Sequence, residues 1–250
     1  MCVTCGCGTD AEQPAAHEHP HSHPHPHQGE TLTLEQKVLA KNDLLAAANR
    51  AWLAGRGILA LNLMSSPGAG KTTLLERTIT DTGPQSVAVI EGDQETPLDA
   101  ERIRRTGCAV TQVNTGAGCH LDAAMVRGAM TVLDPAPGST LFVENVGNLV
   151  CPALFDLGEN AKVVVISVTE GTDKPLKYPY MFAAADLIIV NKTDLLPYVD
   201  FDLNRCAEYA RSVNPHAELL ALSATTGENV EAWYAWLAAR HQIPGAVLQG

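Results

Sequence analysis

The chain has 250 residues, 46% of them hydrophobic, which is enough for one large α/β domain with an appendage. Its formal net charge of −11 and isoelectric point near 5.2 argue against a nucleic-acid partner. No apolar run approaches the roughly 18–20 residues of a membrane span, and no apolar export signal opens the chain. We therefore expect a cytoplasmic protein without a membrane partner. In that reducing compartment, clustered cysteines are better explained as metal ligands than as disulfides.

The first 30 residues carry almost no aliphatic side chains, so this segment is predicted to be disordered without metal. Cys2, Cys5 and Cys7 form a C-x-x-C-x-C pattern. Three thiolates this close can converge on one ion without a folded scaffold. They suit Ni²⁺ in planar geometry and Zn²⁺ in tetrahedral geometry equally well, so the pattern predicts a metal site without choosing the metal. A cluster of free thiols is the alternative, although exposed thiols are prone to oxidation.

A histidine-rich tract follows within the same segment. Its alternate histidines, separated in part by prolines, are His17, His19, His21, His23, His25 and His27. Because prolines keep the tract extended, we expect it to bind several metal ions weakly, as a store, rather than one tightly. A polar linker is the alternative interpretation.

Residues 31–56 are predicted to form a helix that packs on the domain after it. Thr33-Leu34-Glu35-Gln36 resembles a capping box, which predicts a helix over 33–54 that ends near Gly55. The broken apolar stripe of this helix consists of Leu34, Val38, Leu45 and Trp52.

From residue 57 onward, aliphatic runs alternate with helical patterns. The runs predicted to be strands are 58–64, 86–91, 109–113, 140–146, 162–168, 186–191 and 218–223. The predicted helices are 71–81, 98–106, 121–133, 202–213 and 228–241. Because the runs are continuous rather than alternating, both faces of each strand should be buried under helices. Residues 57–250 are thus predicted to form a doubly wound α/β domain with a mostly parallel sheet.

The first strand runs into SSPGAGKTT, residues 65–73, which fits the phosphate-binding pattern G-x-x-x-x-G-K-[ST] except that Ser65 replaces the first glycine. The glycines let backbone N–H groups point at phosphate oxygens at the N-terminus of a helix. Lys71 is predicted to reach the β and γ phosphates, and Thr72 to place its hydroxyl on Mg²⁺. The residues assigned to the nucleotide here are Pro67, Gly68, Ala69, Gly70, Lys71, Thr72 and Thr73. The alternative, a chance strand–turn–helix, fits this context poorly.

The nucleotide base is predicted to be guanine, so the ligands are GTP and GDP. The strand DLIIVN ends in Asn191, Lys192 and Asp194 of an N-K-x-D motif. The two aspartate oxygens can accept hydrogen bonds from guanine N1–H and the N2 amine, whereas adenine leaves the carboxylate unpaired, at a cost of about 1–3 kcal/mol. Ser223 and Ala224 close the next strand and are expected to support the guanine carbonyl. A solvated turn is the alternative.

Carboxylates follow two further strands, where ligands bind in such sheets. Asp93 and Glu144 are assigned with Thr72 to Mg²⁺, which prefers hard oxygen ligands, and the Gly147 N–H is assigned to sense the γ-phosphate. The alternative for Asp93 is a helix cap or a surface charge. Gln94 is a candidate for positioning the attacking water. Lys71, Asp93, Glu144 and Gly147 are thus the predicted catalytic residues of a GTPase, whose hydrolysis alone should be slow, at about 10⁻⁴–10⁻² s⁻¹.

The pair Cys119-His120, in TGAGCHLDA, has no obvious role in a nucleotide enzyme. A packed cysteine beside a surface histidine is the ordinary explanation. Cys151 follows the Gly147 switch closely and could complete a Cys-His-Cys metal site. A Cys-His hydrolase is a third reading, disfavoured because adjacent residues rarely align as nucleophile and base. Cys108 and Cys206, on apolar positions, are expected to lie in the core.

These motifs together resemble the hydrogenase nickel-incorporation GTPases, which assist the maturation of [NiFe] hydrogenase. The resemblance covers essentially the whole chain. It is carried by M-C-x-x-C-G-C, the histidine tract, SSPGAGKTT, EGD, TGAGCHLDA, ENVGNLVCP, EGTDKPLKYP and NKTDLLP. The Cys-His and ENVGNLVCP blocks are more specific than the GTPase motifs.

The resemblance implies a GTPase that forms a homodimer when it binds GTP, and partners that include the hydrogenase large-subunit precursor and a nickel-binding maturation protein. It also implies a high-affinity nickel site at Cys2, Cys5 and Cys7. A second nickel or zinc site, using Cys119, His120 and Cys151, is implied near the subunit contact. Lys174 is implied to reach across to the partner's nucleotide.

Two other functions stay open at this point. One is a nickel storage protein in which GTP only regulates oligomerisation, as the histidine tract suggests. The other is a related metallochaperone GTPase that serves urease or another metalloenzyme. In the favoured reading, GTP hydrolysis relaxes residues 144–151 and moves Cys151 relative to Cys119 and His120, which couples metal affinity to the nucleotide by about 1–3 kcal/mol.

Overall fold

A computed structural model of the chain describes residues 28–93, 98–116 and 118–241. Two compact units divide the chain, residues 1–40 and residues 41–250. In the first unit the described part is helical. The second unit contains the sheet. Among the described residues, no helix is both long enough and apolar enough to cross a membrane.

The strands are β1 Leu59–Ser65, β2 Val87–Asp93, β3 Ala109–Asn114, β4 Thr140–Glu144, β5 Ala161–Ser167, β6 Leu187–Asn191 and β7 Glu218–Ala221. They form one sheet in the order β3-β2-β4-β1-β5-β6-β7, and all neighbours are parallel. The order reverses on either side of β1, so loops after β1, β2 and β4 open into one crevice. The predicted doubly wound fold is confirmed.

The long helices are α1 Gln28–Gly55, α2 Lys71–Thr82, α3 Leu98–Arg105, α4 Ala123–Leu133, α8 Leu203–Val213 and α9 Val230–His241. Three short helices lie between them, α5 Cys151–Leu154, α6 Lys174–Lys177 and α7 Pro179–Ala183. Two 3₁₀ turns cover Pro84–Ser86 and Thr193–Tyr198. The short helices were not predicted, because one turn of helix leaves too few residues for a periodic pattern.

Both faces of the sheet are covered, as the continuous strand hydrophobicity requires. Leu61 and Leu63 of β1 pack into a core cluster with residues of α2 and α9, whereas Ala60 packs into a second cluster with residues of α4 and the end of α1. A third cluster joins β5 and β6 to α7 and α8. Cys108 and Cys206 are buried in these clusters, as predicted.

The predicted start of α1 was wrong. The helix begins at Gln28, so Thr33 lies inside it and the capping-box pattern does not mark its N-terminus. The end at Gly55 agrees with the prediction. The proposed boundaries 1–30, 31–56 and 57–250 otherwise stay predictions.

Candidate functional site: a nucleotide cavity and a sulfur–imidazole cluster

The loop between β1 and α2 adopts the conformation that the phosphate-binding pattern predicts. Gly68 and Gly70 have φ angles of 75° and 99°, in the left-handed region that favours glycine. A Cβ on Gly70 would lie 2.5 Å from Asn191 Nδ2, so this position also requires glycine for space. Ser65, at the position of the missing first glycine, accepts a hydrogen bond from Lys71 Nζ at 2.7 Å. The serine therefore orients the lysine towards the loop.

The N-K-x-D motif is tied directly to this loop. Asn191 Nδ2 donates to the Ala69 carbonyl at 3.0 Å, and Lys192 Nζ donates to the Gly68 carbonyl at 2.6 Å. Asn191 Oδ1 accepts from the Ala224 N–H at 3.1 Å. These hydrogen bonds join two loops that are distant in sequence into one surface. Asn191 therefore fixes the position of the base-binding segment.

The predicted base acceptor is also oriented by a neighbour. Ser223 Oγ donates to Asp194 Oδ1 at 2.5 Å, so one carboxylate oxygen is fixed by the serine. Lys192 has a positive φ of 64°, which turns the chain after β6. The residues assigned to guanine therefore lie together, and their contact with the base stays a prediction.

A cavity of about 450 Å³ lies at the carboxyl ends of β1, β2 and β4. Its walls include the phosphate loop together with Asp93, Glu144 and Gly147, the residues that the sequence assigned to Mg²⁺ and the γ-phosphate. They also include Glu91 and Arg102, which the sequence reasoning missed. Arg102, on α3, donates a hydrogen bond to Thr73 Oγ1 at 3.2 Å and forms an ion pair with Glu76. These contacts fix the start of α2 against α3.

Carboxylates crowd one side of this cavity. Thr72 Oγ1 donates to Glu144 Oε1 at 2.8 Å, and Glu91 is the register partner of Glu144 on the adjacent strand. The Oε2 atoms of both glutamates are buried and have no hydrogen-bond partner among the described residues. Burial, with Glu144 and Asp93 nearby, raises the pKa of Glu91 to about 8, and burial also raises the pKa of Glu144. Buried, unpartnered carboxylate oxygens beside a hydroxyl form a donor set that fits a hard divalent cation.

Glu91 could have been found from the strand pattern. It lies two residues before Asp93 in EGD, so both side chains of an extended strand leave the same face of the sheet. An acidic residue within an otherwise aliphatic buried strand is the signal, because an isolated buried carboxylate is costly.

The three predicted ligands of the second metal site lie together, Cys119 and His120 in the loop before α4 and Cys151 at the start of α5. The candidate ligand atoms of Cys119, His120 and Cys151 all lie within 4.8 Å of one another. The two Sγ atoms are 2.7 Å apart, and Cys119 Sγ is 3.6 Å from His120 Nδ1. Burial lowers the pKa of His120, although Asp122 opposes this, and so favours the neutral imidazole that binds metals. We call these residues the sulfur–imidazole cluster.

The histidine of this cluster is held by an aromatic ring. His120 stacks on Phe155, with ring centroids 3.9 Å apart and planes 24° from parallel. Phe155 directly follows α5, the helix that begins with Cys151. The segment that carries Cys151 and Phe155 therefore positions His120, and the site needs both segments.

The nucleotide cavity and the sulfur–imidazole cluster share one segment, residues 144–151. Asn145 lines the cavity and accepts from the Leu121 N–H, next to His120, at 3.2 Å. A Cβ on Gly147 would lie 3.1 Å from Pro67 backbone atoms, so the segment presses on the phosphate loop. Asn148 Oδ1 accepts from the Cys151 N–H at 3.1 Å and orients the start of α5.

Lys174 lies beside the phosphate loop of its own chain. Its Nζ is 3.3 Å from Glu170 Oε2, and the same carboxylate oxygen accepts a hydrogen bond from Ser66 Oγ. The reach of Lys174 towards a partner's nucleotide stays a prediction. Gln94, the terminal cysteines and the histidine tract lie outside the described residues.

Comparison with known proteins agrees with this geometry. The sequence model of the family described as "CobW/HypB/UreG, nucleotide-binding domain" matches residues 59–221. The hydrogenase maturation factor HypB of Rhizobium leguminosarum bv. viciae is 58% identical over 224 residues, which cover 88% of this chain and 75% of that protein. The chain belongs to the HypB family. The matched span contains the residues of the sulfur–imidazole cluster.

Two further HypB proteins, both of Helicobacter pylori, extend the comparison. The hydrogenase/urease maturation factor HypB of strain J99 is 39% identical over 204 residues, 80% of this chain and 84% of that one. A crystal structure of H. pylori HypB in complex with nickel superposes with a TM-score of 0.76 at 38% identity, covering 81% of this chain and 95% of that chain. A HypB fold of this kind therefore binds nickel in at least one relative.

Proposed function

We propose that the chain is a nickel-binding GTPase that hydrolyses GTP to GDP and phosphate and assists nickel insertion into a [NiFe] hydrogenase. The observation that carries this proposal is the single segment 144–151, which lines the nucleotide cavity at one end and supplies Cys151 at the other. Membership in the HypB family supports the same function.

The nucleotide half of the proposal assigns GTP to the cavity and guanine to Asp194. Lys71 would hold the β and γ phosphates, while Thr72, Asp93 and Glu144 would hold Mg²⁺. The ion would neutralise charge that develops on the phosphate oxygens. The support is the pair of unpartnered carboxylate oxygens beside the Thr72 hydroxyl.

The metal half assigns nickel, or zinc, to Cys119, His120 and Cys151, with a higher-affinity nickel site at Cys2, Cys5 and Cys7. Three ligands leave an open coordination position for water or for a ligand of a partner. Nickel is the cargo here, so its release must follow a signal. We propose that the signal is loss of the γ-phosphate, which moves Asn145 and Gly147 and thereby Leu121 and Cys151.

The proposed partner surface lies next to the sulfur–imidazole cluster. Leu154, Leu176 and Tyr180 are exposed apolar side chains on α5, α6 and α7, with exposures of 48%, 47% and 74%. We assign this surface to a GTP-dependent homodimer, because it is close in sequence to Cys151 and Lys174 and would place both at the contact. The hydrogenase large-subunit precursor and a nickel-binding maturation protein are proposed as further partners.

The decisive experiment measures nickel affinity in two nucleotide states. The Cys2→Ser, Cys5→Ser, Cys7→Ser chain is titrated with Ni²⁺ when bound to GDP and when bound to a non-hydrolysable GTP analogue. We expect affinities that differ by about fivefold or more, corresponding to about 1 kcal/mol of coupling. Equal affinities in both states would refute the coupling.

Two thiol substitutions complete this test. Cys151→Ser should abolish nickel binding at this site and fail to restore hydrogenase activity in a deletion strain. Cys206→Ser, which changes a fully buried core thiol, is the matched control and should retain both. Loss of nickel binding in both variants would point to general destabilisation instead.

The second candidate function is maturation of urease, which the name of the H. pylori relative favours. Activation of hydrogenase and of urease, assayed in the same deletion strain, separates the two. The storage alternative predicts a different deletion phenotype. Removing residues 17–27 should cripple storage but leave hydrogenase activation largely intact if the maturation proposal is correct.

A further inference from the structure

Helix α1 contacts both loops that form the sulfur–imidazole cluster, through two buried asparagines. Asn42 and Asn49 are 6% and 0% exposed. Both face segments more than seventy residues away in sequence. Buried amides are usually hydrogen-bonded, so the partners of these two side chains identify the segments that the helix holds in place.

The first contact is with the start of α4, three residues after His120. Asn42 Oδ1 accepts from the Ala123 N–H at 2.9 Å, and Asn49 Nδ2 donates to the Ala123 carbonyl at 2.9 Å. Both backbone groups of Ala123 are thus bound to α1. The Ala123 N–H belongs to the first turn of α4 and has no partner within its own helix.

The second contact is with the segment after α5, directly beyond Phe155. Asn42 Nδ2 donates to the Asp156 carbonyl at 2.8 Å, and Asn49 Nδ2 donates to the Leu157 carbonyl at 3.0 Å. Arg50 binds the Asp156 carboxylate through both oxygens at 2.7 and 2.8 Å. Each asparagine therefore bridges the loop of Cys119 and His120 to the segment that follows Cys151.

Close packing keeps this bridge short. Gly158 has a φ of 91°, and a Cβ at this position would lie 2.6 Å from the Ala46 carbonyl oxygen and 2.7 Å from Asn49 Cβ. The segment after α5 therefore lies against the helix backbone itself. Together with the stacking of His120 on Phe155 and the core that Leu121 and Leu157 share, this close approach sets the distance between the two ligand-bearing segments.

We infer that Asn42 and Asn49 of α1 are positioning residues for metal binding by Cys119, His120 and Cys151. Their hydrogen bonds go to Ala123, Asp156 and Leu157 and not to the candidate ligands themselves. They hold the two ligand-bearing segments at the separation that lets two thiolates and one imidazole share an ion, which is how outer-shell contacts preserve metal affinity. This inference rests on the proposed function, because it requires that the cluster binds metal.

The test uses the full chain carrying Cys2→Ser, Cys5→Ser and Cys7→Ser, titrated with Co²⁺ and with Ni²⁺. Binding is followed by the thiolate-to-metal charge-transfer absorption, to which the histidine tract does not contribute. We expect the pair Asn42→Ala and Asn49→Ala to weaken binding about tenfold or more, within the range for outer-shell substitutions. The Co²⁺ ligand-field bands should also change, because the ligand geometry relaxes. If the double variant does not fold, Asn42→Ala alone takes its place. This milder variant should weaken metal binding about threefold.

The matched control is Asn214→Ala. Asn214 is another buried asparagine, and its Nδ2 donates to the carbonyls of Phe182, Ala183 and Ala185, a segment that carries none of the three candidate ligands. It should alter metal affinity less than twofold, and all three variants should bind a fluorescent GTP analogue within twofold of the parent. Equal losses of metal affinity in Asn42→Ala and Asn214→Ala would overturn the inference.

Cys119→Ser separates this failure from failure of the proposed function. If Cys119→Ser leaves the charge-transfer band intact, the cluster is not the metal site, and the proposed metal site falls with the inference. If it removes the band while the asparagine variants bind like the parent, the metal site stands and only the positioning role is refuted.

Discussion

Replacing Glu91 with glutamine should remove a pH-dependent loss of stability from the nucleotide-free protein. Glu91 is 2% exposed, its Oε2 has no hydrogen-bond partner among the described residues, and Glu144 is its neighbour on the adjacent strand. Burial first, and then the charges of Glu144 and Asp93, raise the pKa of Glu91 from 4.5 to about 8. Glutamine has nearly the same shape and remains neutral at every pH.

The sign and size of the effect follow from that shift. A carboxyl whose pKa is higher in the folded chain binds its proton more tightly when folded, so its stabilisation is complete below pH 4.5 and is lost as the pH rises towards 8. At about 1.4 kcal/mol per pH unit, the full shift would correspond to at most roughly 5 kcal/mol. Because the effective dielectric constant at a buried group beside a cavity is higher than in a dry interior, we expect about 2–3 kcal/mol.

The assay is urea unfolding of the parent and Glu91→Gln chains at several pH values, without nucleotide and with a chelator. The two free energies of unfolding should agree within about 0.5 kcal/mol near pH 5, and the glutamine variant should be about 2–3 kcal/mol more stable near pH 8.5. Glu101→Gln, which neutralises an exposed carboxylate on α3, should show no such divergence. A difference between the Glu91→Gln and parent chains that does not change with pH would refute the reasoning.

Three other substitutions test separate parts of the structure. Asp194→Asn should weaken GTP binding at least tenfold, since the amide cannot accept two hydrogen bonds from guanine, and should favour xanthosine triphosphate in a competition assay; unchanged preference would contradict the base assignment. Gly158→Ala should lower stability by about 2 kcal/mol or more in thermal unfolding, because its Cβ would meet the Ala46 carbonyl and φ is positive, whereas Gly128→Ala, with open space on a helix, should be neutral or stabilising. Glu144→Gln should weaken the Mg²⁺ dependence of nucleotide affinity in an equilibrium titration, and an unaltered Mg²⁺ requirement would exclude it as a ligand.

The fold was largely predictable because its determinants are local. Continuous aliphatic runs such as ILALNLM indicate strands buried on both faces, and each observed strand begins and ends close to its predicted bounds. The phosphate loop and the N-K-x-D turn were predictable for a similar reason. Their conformations depend on neighbouring residues in the chain, such as glycines at positive φ and a lysine at the start of a helix. One-turn helices such as α5 lack any such periodicity, and they were missed.

Local sequence patterns therefore indicate a parallel α/β sheet, a set of nucleotide-binding loops, and Cys119, His120 and Cys151 as candidate ligands. Which of these groups come into contact depends on how the strands and helices pack. The burial of Glu91 against Glu144 depends on β2 and β4 being neighbours in the sheet, although β3 lies between them in sequence. The bridges from Asn42 and Asn49 to Ala123 and Leu157 depend on where α1 packs. Such contacts join residues far apart in the chain, and no local pattern of residues encodes them, because their energy exists only once the intervening elements have packed.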